Sequence, residues 1–156
     1  MWSRAGAGAL TRGMSRRAAS GATLGLVTEA LIAALAPFPM VRLAVLFGSC
    51  ARGAAGKDVD VGVRLFPDLP EHRFAVEAAI GRAVGRPVDL VLLDSTTPLL
   101  ALEISRDGQP LIERDAHAWA EFRERAMIAW WDFAPTARIM VEASLQRLSQ
   151  GGGRAA

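Results

Sequence analysis

The chain has 156 residues, 51% hydrophobic and 22% charged, enough to bury about two-thirds of the surface that its unfolded form exposes, so one soluble domain accounts for it. Glu29, Arg42 and the later acids interrupt every apolar run before it reaches about 18 residues, which excludes a membrane-spanning helix. The one cysteine, Cys50, excludes an internal disulfide and agrees with a reducing, cytoplasmic location.

Net charge is +2, yet residues 1–28 hold Arg4, Arg12, Arg16 and Arg17 and no acid, so they carry +4 and leave −2 for the rest. Residues 1–22, rich in Gly, Ala and Ser, are expected to form a disordered basic tail. A single domain is expected over residues 23–150, with a flexible end at 151–156. The tail lacks interleaved aromatics beyond Trp2, so nucleic acid is not an expected partner. Deleting residues 1–22 is expected to shift the thermal midpoint by less than about 5 °C, which calorimetry of the truncated protein would check.

Thr28 to Ala36 is apolar and helix-prone and is stopped by Pro37 and Pro39. Val41 to Phe47 is a buried strand, Val59 to Leu65 a second and Val88 to Leu93 a third. Between the last two, Pro70 and Glu71 suit a first helical turn, and Val76, Ala79, Ile80 and Ala83 form an apolar face before Gly85 and Pro87. Thr97 caps a further helix with Pro98 at its start, ending near Gly108, and Leu111-Ile112 forms a short extended piece. Trp119, Phe122, Ala126 and Trp130 recur on one face after an Asp115 cap, and Ala137, Val141, Leu145 and Leu148 recur after Pro135. These stripes are expected to make a C-terminal helical hairpin packed against the sheet. Trp130 and Trp131 point about 100° apart on a helix, so both cannot lie at the centre of one stripe, which leaves one of them, or the last helix, for a partner. His72 and His117 lie among polar residues and read as surface groups.

Chemistry concentrates where Leu46-Phe47-Gly48-Ser49 is followed by Asp58-Val59-Asp60 and later by Val88-Asp89-Leu90-Val91. Residues two apart on a strand face the same way, so Asp58 and Asp60 project together while Val59, Val61, Val63 and Leu65 face the core. Gly62 leaves open space beside the acids. Two carboxylates about 6.5 Å apart repel by roughly 2.5 kcal/mol at an effective dielectric near 20, and a divalent cation removes that penalty. Oxygen-only ligands favour magnesium or manganese over zinc. Gly48 lets the chain turn tightly, its successive N–H groups can cradle phosphate oxygens, and Ser49 adds a hydroxyl donor. Arg52 is placed to add positive charge near the same phosphates. Lys57 reads as a solvated turn residue, and Cys50, with no histidine near in sequence, as a passive one.

Gly48-Ser49, Ala51-Arg52-Gly53, Asp58-Val59-Asp60 and Asp89 together resemble the minimal nucleotidyltransferases of the DNA polymerase beta superfamily. The run from Leu102 to Asp115, with Ser105-Arg106-Asp107-Gly108-Gln109 at its centre, followed by Trp119, Phe122 and Trp130-Trp131-Asp132-Phe133, is similar more narrowly to the MntA-type antitoxins. The resemblance spans roughly residues 24–135. It implies an α/β (α+β) fold with a mixed sheet backed by helices. It also implies a magnesium-dependent adenylyltransferase that moves AMP from ATP to a tyrosine of a HEPN-domain toxin RNase of the HepT type, in a hetero-oligomer with that partner. Two magnesium ions on Asp58, Asp60 and Asp89 are implied, with Asp89 taking the acceptor's proton and Gly48, Ser49 and Arg52 on the phosphates. Between Ser49 and Asp58 the chain has eight residues, against about ten in most such proteins, so the turn is shortened. Two other readings stay open: an antitoxin acting by contact alone with a vestigial site, and an aminoglycoside-type small-molecule nucleotidyltransferase.

Overall fold

The computed structural model describes residues 23–54 and 58–151. The basic tail, Lys57 and the last five residues lie outside the described residues. Helix α1 covers residues 23–35, five residues ahead of the start that local propensity suggests. Leu24 and Val27 pack against the core, and that burial outweighs the helix-weakening Gly25.

Strand β1 (Val41–Phe47) is central, with β2 (Val59–Leu65) and β4 (Gln109–Glu113) antiparallel on its two sides. Strand β3 (Val88–Leu92) lies parallel to β2, giving the order β3-β2-β1-β4. A parallel pair needs a crossover, and helix α3 (Pro70–Val84) supplies it. Pro70 opens α3, and Gly85, at φ 62°, ends it in the left-handed conformation. Between β1 and β2 comes the one-turn helix α2 (Gly48–Ala51), and α4 (Pro98–Asp107) and α5 (Ala118–Gly151) complete the order.

Strand alternation divides the interior into two layers. Val59, Val61, Val63 and Leu65 of β2 pack with Leu31 and Leu35 of α1 and with Val76 and Ile80 of α3. Leu43, Val45 and Phe47 of β1 face the other way, against Ala101 and Ile104 of α4 and Phe122 and Ala126 of α5. An irregularity between Val41 and Leu43 resets the alternation on β1, so Val41 belongs to the first layer. On β3, Val88, Leu90 and Leu92 join the first layer and Val91 the second; Leu93, expected to end this strand, instead opens a 3-10 turn (Leu93–Ser95) and packs into the second layer. Asp60 and Asp89 therefore stand on the α4 and α5 side of the sheet.

The helix punctuation near α4 follows the sequence closely. The Thr97 hydroxyl accepts from the Leu100 N–H at 3.4 Å, and Pro98 opens the helix. At its end the Gly108 N–H donates to the Ile104 carbonyl at 2.8 Å.

The C-terminal third is one continuous helix, where the apolar pattern had suggested a hairpin. Pro135 removes one backbone hydrogen bond, but nothing between Phe133 and Ala137 is a Gly or Asn able to take the left-handed turn that closes a helix. The chain runs on, and its second stripe leaves the sheet behind. Val141, Leu145 and Leu148 are 58%, 60% and 74% exposed, so they do not join the core as expected. Trp131 is exposed as well, while Trp130 is half-buried and tilted against Phe133.

The start of α5 also departs from expectation. Asp115 spends its carboxylate on Arg42 of β1, whose Nε and Nη2 both donate to it. Glu113 takes the capping role, accepting from the Trp119 N–H at 3.0 Å. His72 and His117 are surface residues, and the His72 Nδ1 lies 2.8 Å from the Pro67 carbonyl oxygen.

Candidate active site

The end of β1 and the beginnings of β2 and β3 meet at one edge of the sheet. Phe47 pairs with Asp60 across the antiparallel ladder, and Asp60 pairs with Asp89 across the parallel one. Paired residues share a face, so both carboxylates emerge on the same side, and Asp58, one residue ahead of β2, stands close enough for its charge to act on Asp60. Asp60 and Asp89 follow the alternation expected from the sequence, whereas Asp58 lies in a bend just ahead of β2 rather than on the strand.

Gly48 follows Phe47 immediately, at φ 71°, and turns the chain back beside Asp60. A Cβ there would come within 2.9 Å of the Asp60 Cγ, so the carboxylate occupies the space that a side chain would need. Gly48→Ala is expected to cost about 1–3 kcal/mol, because it adds left-handed strain to that overlap. A urea titration reads the loss. Gly62 departs from expectation: a Cβ there would meet the Leu93 Cδ2 at 2.6 Å. The vacancy is filled by Leu93, which seats the end of β3 against β2.

Electrostatics mark Asp60 as the crowded member. Burial raises its carboxyl above the usual range, and the charges of Asp89 and then Asp58 push the same way, with Arg52 opposing them. Asp58 and Asp89 are exposed at the edge. Among the described residues no three carboxylate, thiol or imidazole groups converge tightly enough to hold an ion alone. The donor set still fits a hard divalent cation, because magnesium is commonly held by one or two carboxylates with substrate phosphates completing its shell. Like charges gathered around Asp60 are what such a cation relieves.

The rest of the turn is held in place from several sides. Ser49 is half-buried at the edge, whereas Cys50 and Ala51 turn into the α1 and α3 layer. Burial is the largest effect raising the Cys50 thiol, which fits a passive role. Arg52 lies within electrostatic reach of Asp60, and its Nη1 stands 3.6 Å from the Asp107 Oδ2. Gln109 Nε2 donates to the Ala51 carbonyl at 3.0 Å from 58 positions away. Local spacing carries no signal of these last two contacts, since only the pairing of β4 with β1 brings them about.

Residues 29–117 match a family model described as polymerase beta, nucleotidyltransferase, a span that contains all six site residues. No curated protein matches the chain. Among solved structures, a toxin-antitoxin assembly with AMP-PNP is similar at 20% identity, covering 76% of this chain and 98% of that one with a TM-score of 0.66. An MntA-HepT toxin-antitoxin matches at 20% identity, 78% and 98% coverage and a TM-score of 0.63. A complex of a tri-AMPylated Shewanella oneidensis HEPN toxin with an MNT antitoxin matches at 19% identity, 78% and 98% coverage and a TM-score of 0.64. At such identities the likeness shows a common fold, and the family model, matched over residues 29–117, adds agreement in sequence. The chain belongs to the polymerase beta nucleotidyltransferase family.

Proposed function

We propose that this protein is an antitoxin enzyme that transfers AMP from ATP to a tyrosine of a HEPN-domain toxin RNase and so neutralises it in the cytoplasm. The observation that carries the reading is the sheet edge itself: Asp60 and Asp89 in register, Asp58 beside them, and the Gly48 turn against the Asp60 carboxylate. Asp58, Asp60 and Asp89 would hold magnesium, two ions in all. When bound, magnesium supplies charge neutralisation for the triphosphate and for the leaving pyrophosphate.

The chain's own groups do the rest. The turn at Gly48 and Ser49 takes the phosphate oxygens, and Arg52 adds a guanidinium suited to bidentate phosphate contacts. An acceptor hydroxyl aligned at the alpha phosphorus forms the new oxygen–phosphorus bond as the alpha–beta anhydride bond breaks, and pyrophosphate departs with the electron pair. Asp89, exposed on the neighbouring strand, takes the acceptor's proton.

Two observations support a protein acceptor over an aminoglycoside-type small molecule. The structural neighbours include a toxin-antitoxin assembly with AMP-PNP and an antitoxin complexed with a tri-AMPylated HEPN toxin. From Trp131 onward α5 also presents Trp131, Val141, Leu145 and Leu148 to solvent, an apolar stripe suited to a hetero-oligomer. A contact-only antitoxin is the second reading, favoured by the incomplete convergence of the three acids. Incubating the protein with magnesium, ATP and a HEPN partner and weighing the partner intact decides between them. A partner that gains no adenylyl mass would sink the transferase reading.

A further inference from the structure

The corner between α4 and β4 reaches the phosphate turn twice. Gln109 Nε2 donates to the carbonyl oxygen of Ala51, the last residue of α2, at 3.0 Å. The Asp107 Oδ2 stands 3.6 Å from Arg52 Nη1, while Arg106 Nε and Nη2 donate to the same carboxylate at 3.1 and 3.2 Å. The two contacts grip successive residues of the turn.

The corner is itself rigid. Gln109 pairs with Leu46, two positions before Gly48, so the strand that delivers the turn also fixes its brace. Gly108 permits no side chain, since a Cβ would lie 2.7 Å from Val45 Cγ1 and 3.2 Å from Trp119 Cη2. Asp107 is only 25% exposed, yet it stays ionised: the Arg106 hydrogen bond, then the charges of Arg106 and Arg52, outweigh its burial and hold its carboxyl low. Arg52 acts electrostatically on Asp60 as well as on Asp107, so its guanidinium bridges the brace and the acidic edge.

We infer that Asp107 and Gln109 are positioning residues for nucleotide binding: Gln109 pins the end of the phosphate turn, and Asp107 holds the Arg52 guanidinium at the acidic edge. An unheld arginine loses rotamer freedom on meeting a phosphate, and the brace removes part of that cost beforehand. The looseness of the 3.6 Å pair lets Arg52 turn to an incoming phosphate without breaking a close hydrogen bond. The inference rests on the proposed role of this edge in binding ATP.

Calorimetric titration of the full chain with ATP and magnesium tests it. Asp107→Asn is expected to weaken binding about threefold to fivefold, Asp107→Glu to recover most of the loss, and Gln109→Ala to weaken it about threefold. In an Arg52→Ala background, adding Asp107→Asn is expected to change affinity by less than about 1.5-fold, because the carboxylate acts through the guanidinium. A merely structural role would lower affinity equally in both backgrounds. That outcome, or wild-type affinity in both Asp107→Asn and Gln109→Ala, would overturn the inference while leaving the proposed function intact. A wild-type protein that binds no ATP with magnesium would overturn both.

Discussion

Asp60→Asn is expected to weaken magnesium-dependent ATP binding by at least about 100-fold, beyond the 10–100-fold typical of changes that only support metal ligands. The substitution keeps shape and removes the anionic oxygen at the most crowded point of the edge. Stability is expected to move the other way. Burial and the charges of Asp89 and Asp58 raise the Asp60 carboxyl, so its ionised form penalises the folded state at neutral pH. The sign follows from linkage: a raised carboxyl means the folded state holds its proton longer, so stability falls as pH rises through that window. The neutral amide escapes this penalty. The thermal midpoint of Asp60→Asn without nucleotide should therefore equal or exceed that of the wild type. A variant that keeps magnesium-dependent affinity would sink the assignment of this edge as the metal and nucleotide site.

Asp89→Asn is the second large effect, and it separates chemistry from contact. Asp89 sits exposed beside Asp60 on β3, with Val88 and Leu90 carrying the strand's packing on the opposite face, so the fold should survive the change. Removing a general base costs about 10²–10⁴ in rate. Intact-mass spectrometry should show a HEPN partner co-expressed with the variant to be unmodified, and growth rescue should fail with it. A contact antitoxin would still rescue, because the exposed stripe of α5 lies elsewhere in the chain and is untouched by the substitution. Full rescue with an unmodified partner would end the adenylyltransferase mechanism and leave the fold.

The chain's local patterns carried the strands, the punctuation of α3 and α4 and the pairing of Asp60 with Asp89 on one face. Alternation by two along Val59-Asp60-Val61 is enforced by backbone geometry, so which side Asp60 takes was decided before any packing. Pro70, Gly85, Thr97 and Pro98 act within a residue or three of themselves, and their effects were legible for that reason. Tertiary structure decided what depended on distant partners. Leu93 filled the space at Gly62, Arg42 took Asp115 from its capping role, and the first helix began early because Leu24 and Val27 found a core to join. The unbroken α5 has the same origin: a period of 3.6 is common to a hairpin's second arm and to a helix running into solvent, and only the presence or absence of a surface to pack on distinguishes them. The grip of Asp107 and Gln109 on the turn was likewise invisible, because residues 58 positions apart become neighbours only when β4 pairs with β1.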